Sequence, residues 1–412
     1  MSFQQGLSGL SAASTSLDTI GNNIANSGTV GFKSGQAQFA DVYANSLNNA
    51  TGSKTGIGTK VSAIMQQFTQ GNITTTQNPL DVAINGNGFF RMSNDGAVTY
   101  SRNGQFHLSK DGYIVNADES CRLTGYAADT NGVLATGSVV EMNINTSDLA
   151  PKATTEVTNV MNLNSGASAV DQTTYPFNPD DPNSYTSSTS ITVYDSLGNS
   201  HVLQTYYVKT ATNTWEVYGV TNPSTSPVGT TDLGKLAFTT SGTIDTTNSS
   251  ALPLNVHMTV GTGAVTTLDF NMDFAGTSQY GSTFSVNSAT QDGYESGRLS
   301  NFSVAGDGTL VGNYTNGKTA VLGQVVLANF SNPNGLQPLG NNQWAETAPS
   351  GAALIGTPDS SSLGVLQSYA VEDSNVDLTE ELVSMITAQR SYQANAQTIK
   401  TQDEVMQTLV NL

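Results

Sequence analysis

The chain has one cysteine, Cys121, among its 412 residues, so no intramolecular disulfide can form. The thiol reads as a small residue of a strand or core. Charge is scarce as well. Only 11% of residues are charged, against roughly a quarter in an ordinary globular chain. Bases are the rarer sign: 14 Lys and Arg face 32 Asp and Glu, for a net charge of -18. An acidic surface argues against nucleic acid or an anionic membrane as a main partner, because both select cationic surfaces. Long apolar runs are also missing, and no window reaches the roughly 20 apolar residues of a membrane-spanning helix. The first basic residue is Lys33, so the N-terminus lacks the basic start and apolar stretch of a cleaved secretory signal. The expectation is a protein without membrane insertion that stays in the cytoplasm or leaves by a route reading another signal.

Catalytic patterns are equally thin. His107, His201 and His257 each stand without a second His or Cys at metal-ligand spacing. No nucleophile elbow and no phosphate-binding loop occurs, and Asn85-Gly86-Asn87-Gly88 reads as turns. Asp180-Asp181 and Asp292 could hold a weakly bound calcium ion, but the EF-hand pattern is absent and a solvated acidic loop is the simpler reading. The sequence therefore points to neither an enzyme nor a cofactor-binding protein.

What is present lies at the two ends and between them. Phe3, Leu7, Leu10, Leu17, Ile20 and Ile24 follow one another at spacings of three, four or seven. So do Leu378, Leu382, Met385, Tyr392, Ile399, Met406 and Val410, with Gln389, Ala396 and Asp403 at the intervening positions. Such spacing puts side chains on one stripe of a helix. The first helix is expected over about 3–25, stopping at Asn26-Ser27-Gly28, where left-handed backbone is tolerated. The last is expected to start at Asp377, with Glu380 completing an Asp-x-x-Glu capping box. Asn22, Asn23 and Asn26 are candidates to cap or bridge helices, and a plain helix stop serves Asn26 equally well. The pairing of these stripes predicts that the ends meet.

Between the helices the period falls to two. Gly31 to Lys60 is polar and Gly-rich, with Phe32, Phe39, Val42 and Tyr43 its sparse apolar residues, and is expected to be extended or irregular in a way that depends on its neighbours. From Gly71 onward, short alternating runs are broken by Asn85-Gly86, Asp95-Gly96, Asn103-Gly104 and Asp111-Gly112, which favour hairpins because these residues accept positive φ. Composition shifts near Pro151, and strand patterns of another style continue to Phe284 before the first style returns. The expected fold is mainly β with α-helical termini: two nested all-β domains on a stalk of paired N- and C-terminal coiled-coil helices. The expected division is 1–70 plus 365–412 as a terminal polymerisation domain, 71–146 plus 285–364 as a first β-domain, and 147–284 as an inserted outer β-domain.

Three segments resemble one family, the bacterial flagellar axial proteins that include rod and hook subunits. Leu17-Asp18-Thr19-Ile20-Gly21-Asn22-Asn23-Ile24-Ala25-Asn26 with Val30-Gly31-Phe32-Lys33 resembles its N-terminal signature. Leu80 to Phe90, Tyr100-Ser101-Arg102-Asn103-Gly104-Gln105-Phe106 and Leu123-Thr124-Gly125-Tyr126 resemble its β-core. Ser374 to Leu378 and Gln389 to Ala396 resemble its C-terminal helix. Length and the inserted domain point to hook-type members, since rod subunits are usually shorter.

The resemblance implies a structural subunit of the hook that polymerises into a curved tube, joins rod to filament and transmits torque as a universal joint. It implies as partners other copies of the chain, a distal rod protein, a hook–filament junction protein, a hook cap during assembly and the flagellar type III export apparatus. It implies an extracellular place in the hook after export without a cleaved signal. On this reading the assembly interface comprises the stripe residues together with Asn22, Asn23 and Asn26. Leu382→Asp is expected to abolish assembly, and a polar exchange within 222–230 to leave it intact. A rod subunit with an unusual insertion, a junction protein, and a secreted β-rich adhesin or carbohydrate-processing enzyme remain as alternatives at this stage.

Overall fold

The computed structural model describes residues 3–42, 56–129, 132–145, 147–221, 231–261, 263–360 and 362–410. Tyr43, the stretch 222–230 and the side chain of Val410 lie outside the described residues. Helix α1 spans Phe3–Ala25 and α2 spans Leu378–Val410, and strands occupy most of the chain between them. The fold is mainly β with helical termini.

Both helix boundaries follow from local chemistry. At the end of α1 the Asn26 N–H reaches the carbonyls of Asn22 and Asn23 at 3.1 and 3.2 Å, and its side-chain amide donates to Asn22 O at 2.9 Å. These bonds occupy carbonyls that a terminating helix leaves open. At the start of α2, Asp377 Oδ1 accepts the backbone N–H of Thr379 and Glu380 at 2.8 and 3.2 Å, as an N-cap does. Glu380 and Glu381 stand in the first turn, where negative charge suits the helix dipole.

The polar segment after α1 is extended where it is described. Strand β1 (Gly35–Val42) pairs antiparallel with β2 (Gly58–Gln66), with a register shift at Gln38/Phe39. An isolated two-stranded ribbon is marginal, but this one is braced by α1: Asn23 exchanges hydrogen bonds with both Gly35 N–H and Gly35 C=O at 2.8 Å, and Gln5 donates to Gly56 O at 2.6 Å. The order comes from tertiary neighbours, and the identity of those neighbours is what local composition does not reveal.

The chain divides into two compact units. The first holds residues 1–146, 301–313 and 319–412; the second holds 147–300 and 314–318. In the first unit, β3 (Ile73–Thr75) pairs with Ala370–Glu372, and β4 (Val82–Asn85) pairs with Val365–Ser368. Strands β5 (Phe89–Asn94) and β6 (Ala97–Ser101) form a hairpin. Its loop is Asp95-Gly96 with φ of 48 and 94°, the doubly positive geometry that this dipeptide favours. Asn85-Gly86 and Asn103-Gly104 do not close such hairpins: the strand before Gly86 pairs with a segment 280 residues away, and Gly104 O receives the Val82 N–H at 2.9 Å. A cluster of Phe89, Tyr100, Phe330, Leu336 and Trp344 forms one core of this unit, with rings meeting edge to face at 4.7–5.9 Å.

The second unit is a two-sheet sandwich. Ser187–Tyr194, Ser200–Ala211, Thr214–Thr221 and Thr231–Ala237 form an antiparallel meander. The other sheet centres on Glu156–Asn164, which pairs parallel with Thr267–Asp273 and Ser278–Tyr280 and antiparallel with Ser285–Gln291. Trp215, Tyr207, Met161, Met272 and Phe274 fill the space between. The inserted domain therefore does not end at 284 as expected. Ser285–Gln291 is almost wholly exposed and polar, so it carries no apolar alternation to mark it, yet its backbone completes the sandwich sheet.

Candidate assembly surface

The two terminal helices meet and run antiparallel. Gly6 lies against Ile399, Gly9 against Asn395, and Asn23 donates to Glu381 Oε1 at 2.8 Å. A Cβ at Gly9 would sit 2.8 Å from Asn395 Oδ1, and one at Gly6 would sit 3.1 Å from Ile399 Cγ1. The absent side chains are what let the helices approach. On α1 this contact follows Gly6, Gly9, Ala13, Ser16, Ile20 and Asn23, again at three-four spacing. On α2, Ser384, Ala388, Ser391 and Asn395 border the same groove, and Ala13, Ile20 and Ala388 are buried.

This contact within the chain is not the stripe of large residues. Of the residues expected at the interface, Ile20, Asn23 and Ile399 take part in it. Ala13, which is not a member of the large stripe, is inside. Phe3, Leu7, Leu378, Leu382, Tyr392 and Met406 are exposed, with Leu382 50% and Met406 59% accessible. Leu10, Leu17, Ile24 and Met385 are half-buried. Asn22 is exposed and accepts from Asn26. A helix carries several three-four stripes at once, and hydrophobicity alone selects the one with the largest side chains. Close packing selects the stripe of small residues here, because dispersion grows steeply as surfaces come together. The larger stripe is left exposed at Phe3 and Leu7 of α1 and at Leu378, Leu382, Tyr392 and Met406 of α2.

A second feature ties the helices to the β-body. Glu372, just ahead of α2, is fully buried. Its Oε1 accepts from Lys33 Nζ at 2.6 Å and from Gly71 N–H at 2.9 Å; its Oε2 accepts from Arg102 Nη1 at 3.1 Å. Its own carbonyl accepts the Gly31 N–H at 2.7 Å. Lys33 also donates to Thr69 O at 2.7 Å, and Arg102 to Gly86 O at 2.6 Å. Burial pushes the Lys33 ammonium below its ordinary range against the pull of Glu372, and the positive charge of Arg102 pushes the same way. Burial likewise lowers Arg102, opposed by Glu372. Gly31 has φ of 71° and lies so close to Arg102 and Asn103 that a Cβ would come within 2.6 Å of Asn103 N. Asn375 adds a parallel tie, accepting from Ser34 N–H at 2.8 Å and donating to Gln67 O at 2.7 Å. The sequence reading named Lys33 and Arg102 only within motifs and missed Glu372.

The other candidates resolve into local structure. Cys121 is buried beside Thr99 and donates to Gln343 Oε1 at 3.4 Å. Burial pushes the Asp292 carboxyl up, but Thr155, the Thr155 and Glu156 N–H groups and Lys152 outweigh it and hold the group well below the usual carboxylate range. Asp181 accepts from Asn183. Among the described residues, no helix is long and apolar enough to cross a membrane, and no group of three metal-binding side chains stands together.

The first unit thus joins β-structure to an antiparallel helix pair on which Phe3, Leu7, Leu378, Leu382, Tyr392 and Met406 are exposed, the architecture of a structural subunit with an apolar surface left over. Residues 3–33 match the family described as Flagella basal body rod protein, and 83–158 match the Flagellar hook protein FlgE/F/G D1 domain. Residues 162–294 match the Flagellar basal body protein FlaE D2 domain, and 367–412 the Flagellar basal body rod FlgEFG protein C-terminal family. The chain is 46% identical to the flagellar hook protein FlgE of Salmonella typhimurium over 100% of both chains, and 44% identical to that of Escherichia coli over 100% of both. The structure of Helicobacter pylori flagellar hook protein FlgE2 is similar in fold, with a TM-score of 0.54, 13% identity, and coverage of 73% of this chain and 100% of that one. The chain belongs to the flagellar hook protein family. It is a structural hook subunit and not an enzyme.

Proposed function

We propose that copies of this chain assemble through the outward stripes of α1 and α2 into a curved helical tube that links rod to filament and transmits torque as a universal joint. The observation that carries this reading is the row Phe3, Leu7, Leu378, Leu382 and Met406, exposed although apolar and set at helical spacing. Burying one such side chain is worth roughly 1.5–3 kcal/mol, and a neighbouring copy repeats the gain at every step of a polymer. On this reading the terminal segments 1–70 and 365–412 act as the polymerisation part, and the β-domains form outer layers. Their Ser-, Thr- and Asn-rich surfaces make wet contacts that exchange at little cost as the tube bends. A distal rod protein, a hook–filament junction protein, a hook cap and the type III export apparatus are the proposed further partners, with export occurring without a cleaved signal.

The test labels sheared cell-surface appendages with an antibody to 147–284 and images them by electron microscopy. Label on a short curved segment between filament and cell supports the reading. Label confined to a straight rod within the envelope assigns a rod subunit instead. Leu382→Asp in the same cells is expected to remove the labelled segment and motility; normal motility overturns the role of the stripe.

A further inference from the structure

The sandwich carries one long stretch without strand or helix, 165–186, between Glu156–Asn164 and Ser187–Tyr194. Loops longer than about 12–15 residues are uncommon in a compact domain and are either functional or disordered. This one is tied down along its length. Asp171 accepts from the N–H and the hydroxyl of Thr173 and from the Thr174 hydroxyl. The buried Ser184 hydroxyl meets Asn178 O at 2.6 Å and Asp181 O at 2.7 Å. Phe177 stacks on Tyr218 with ring centroids 4.2 Å apart, and Tyr185 meets Tyr206 edge to face at 4.8 Å. Tyr206 and Tyr218 are register partners, and the adjacent pair Tyr207 and Val217 lies in the core. Alternation therefore puts Tyr206 and Tyr218 on the outer face of the meander. The stretch 165–186 is a strap laid across that face.

Both feet of the strap end on one residue. Lys209 Nζ donates to Ser165 O at 2.5 Å and to Ala167 O at 2.8 Å. The Lys209 carbonyl accepts the Val170 N–H at 2.8 Å, and its own N–H donates to Thr186 Oγ1 at 3.1 Å. Lys209 is 8% exposed, and its ammonium lies 5.9 Å from the centroid of the Trp215 ring. Among the described residues, no Asp or Glu stands within ion-pair distance of it. Buried cations are ordinarily met by a carboxylate. Here two loop carbonyls and an aromatic face, which attracts cations through its quadrupole, take that place. A carboxylate on a strand would hold the ammonium wherever the loop lay. Carbonyls of the loop itself make the seat of the charge and the closure of the strap conditional on one another. We propose that Lys209 is a cationic clamp: Ser165 O, Ala167 O and the Trp215 face form a cradle for a primary ammonium, and its occupation keeps 165–186 closed over Tyr206 and Tyr218. Opening of the strap is then a local event that leaves the sandwich folded. The clamp lies wholly within the sandwich and depends neither on the terminal helices nor on the polymer reading.

The test is hydrogen exchange of the full-length protein read by mass spectrometry. In the wild type, peptides covering 165–171 and 184–188 are expected to exchange through local opening, about tenfold or more faster than the strands 203–220 once intrinsic rates are divided out. Equal protection of the strap and the strands would mean that the strap opens only when the sandwich unfolds, and overturns the proposal. Lys209→Met keeps an unbranched apolar stem on Trp215 and removes the ammonium. It is expected to speed exchange in both strap peptides by about tenfold or more, the scale of lost charge-assisted bonds, and to admit chymotrypsin at Tyr175 and Phe177, with 203–220 little changed. Strap exchange that stays at the wild-type rate overturns the clamp. Lys209→Ala separates the charge from the packing. Added propylammonium chloride should restore protection at 165–171, whereas sodium chloride or n-propanol at equal concentration should not. Failure of propylammonium, or equal restoration by either control, overturns the cradle. If neither variant folds, the wild-type comparison still decides.

Discussion

In the 147–300 sandwich, Trp215, Tyr207, Phe274 and Met161 lie fully inside, while the outward positions of its strands carry Asn255, His257, Thr267 and Asn271. In the terminal helix pair, glycine, alanine and serine line much of the contact, with Ile20 and Ile399 beside them, while Phe3, Leu7, Leu382 and Met406 are exposed. One region buries its large apolar side chains within the chain; the other leaves several of them exposed. The sandwich is complete by itself. The helix pair is held by close backbone approach and polar ties, and its larger stripe is the one proposed above to meet a neighbouring copy. Two regions of one chain thus differ in which size of residue meets inside.

The sharpest way to break this comparison is to empty the sandwich. Trp215→Ala is expected to cost about 3–5 kcal/mol, and it strands the Gln279 amide oxygen that the indole N–H now satisfies at 2.9 Å. Urea unfolding followed by circular dichroism should show the loss, and a loss below 1 kcal/mol would contradict a self-sufficient core.

Asn23→Ala tests the helix pair at its most buried polar tie. It removes bonds to Gly35 N–H, Gly35 C=O and Glu381 and is expected to cost about 1–3 kcal/mol. Faster hydrogen exchange in both β1 and the first turns of α2 is the expected sign. Exchange that changes in only one of them would show that Asn23 does not bridge the two.

Asp292→Asn is a smaller test on the sandwich side. The folded carboxyl sits below its ordinary value of 3.8, so its contribution is present above that pH and is lost as pH falls toward the folded value. The difference in Tm between wild type and variant should be full at pH 6 and shrink below about pH 4, the ordinary carboxylate range. A difference independent of pH would mean the charge is not what matters. The smallest expected effect is that of Leu382→Asp on the isolated chain. Surface substitutions usually change stability by no more than ~0.5 kcal/mol, so thermal unfolding should barely move even though assembly fails. A large loss of monomer stability would mean that Leu382 packs within the chain.

Much of this was legible in the residues. The bounds of α1, the Asp377 cap and the Asp95-Gly96 hairpin follow from local rules, because caps and tight turns are decided by a few adjacent residues. The ribbon of β1 and β2 was legible only as an extended segment in need of neighbours; that Asn23 and Gln5 of α1 supply them was not. The true end of the sandwich was hidden because Ser285–Gln291 pairs by backbone and shows no alternation. The Lys33–Glu372–Arg102 cluster was hidden for a different reason: two of its members sit inside recognisable motifs, but nothing local says that a carboxylate more than 300 residues from Lys33 will meet them.

By itself, then, the sequence determined the period of each segment, the helix ends, the tight turns and the family to which they belong, all of which are properties of short stretches. Only the tertiary structure decided which of several stripes on each helix closes against the other, which strand completes which sheet, and which charges are buried together. Those choices rest on close approach and desolvation, which are fixed by distances between segments far apart in the chain.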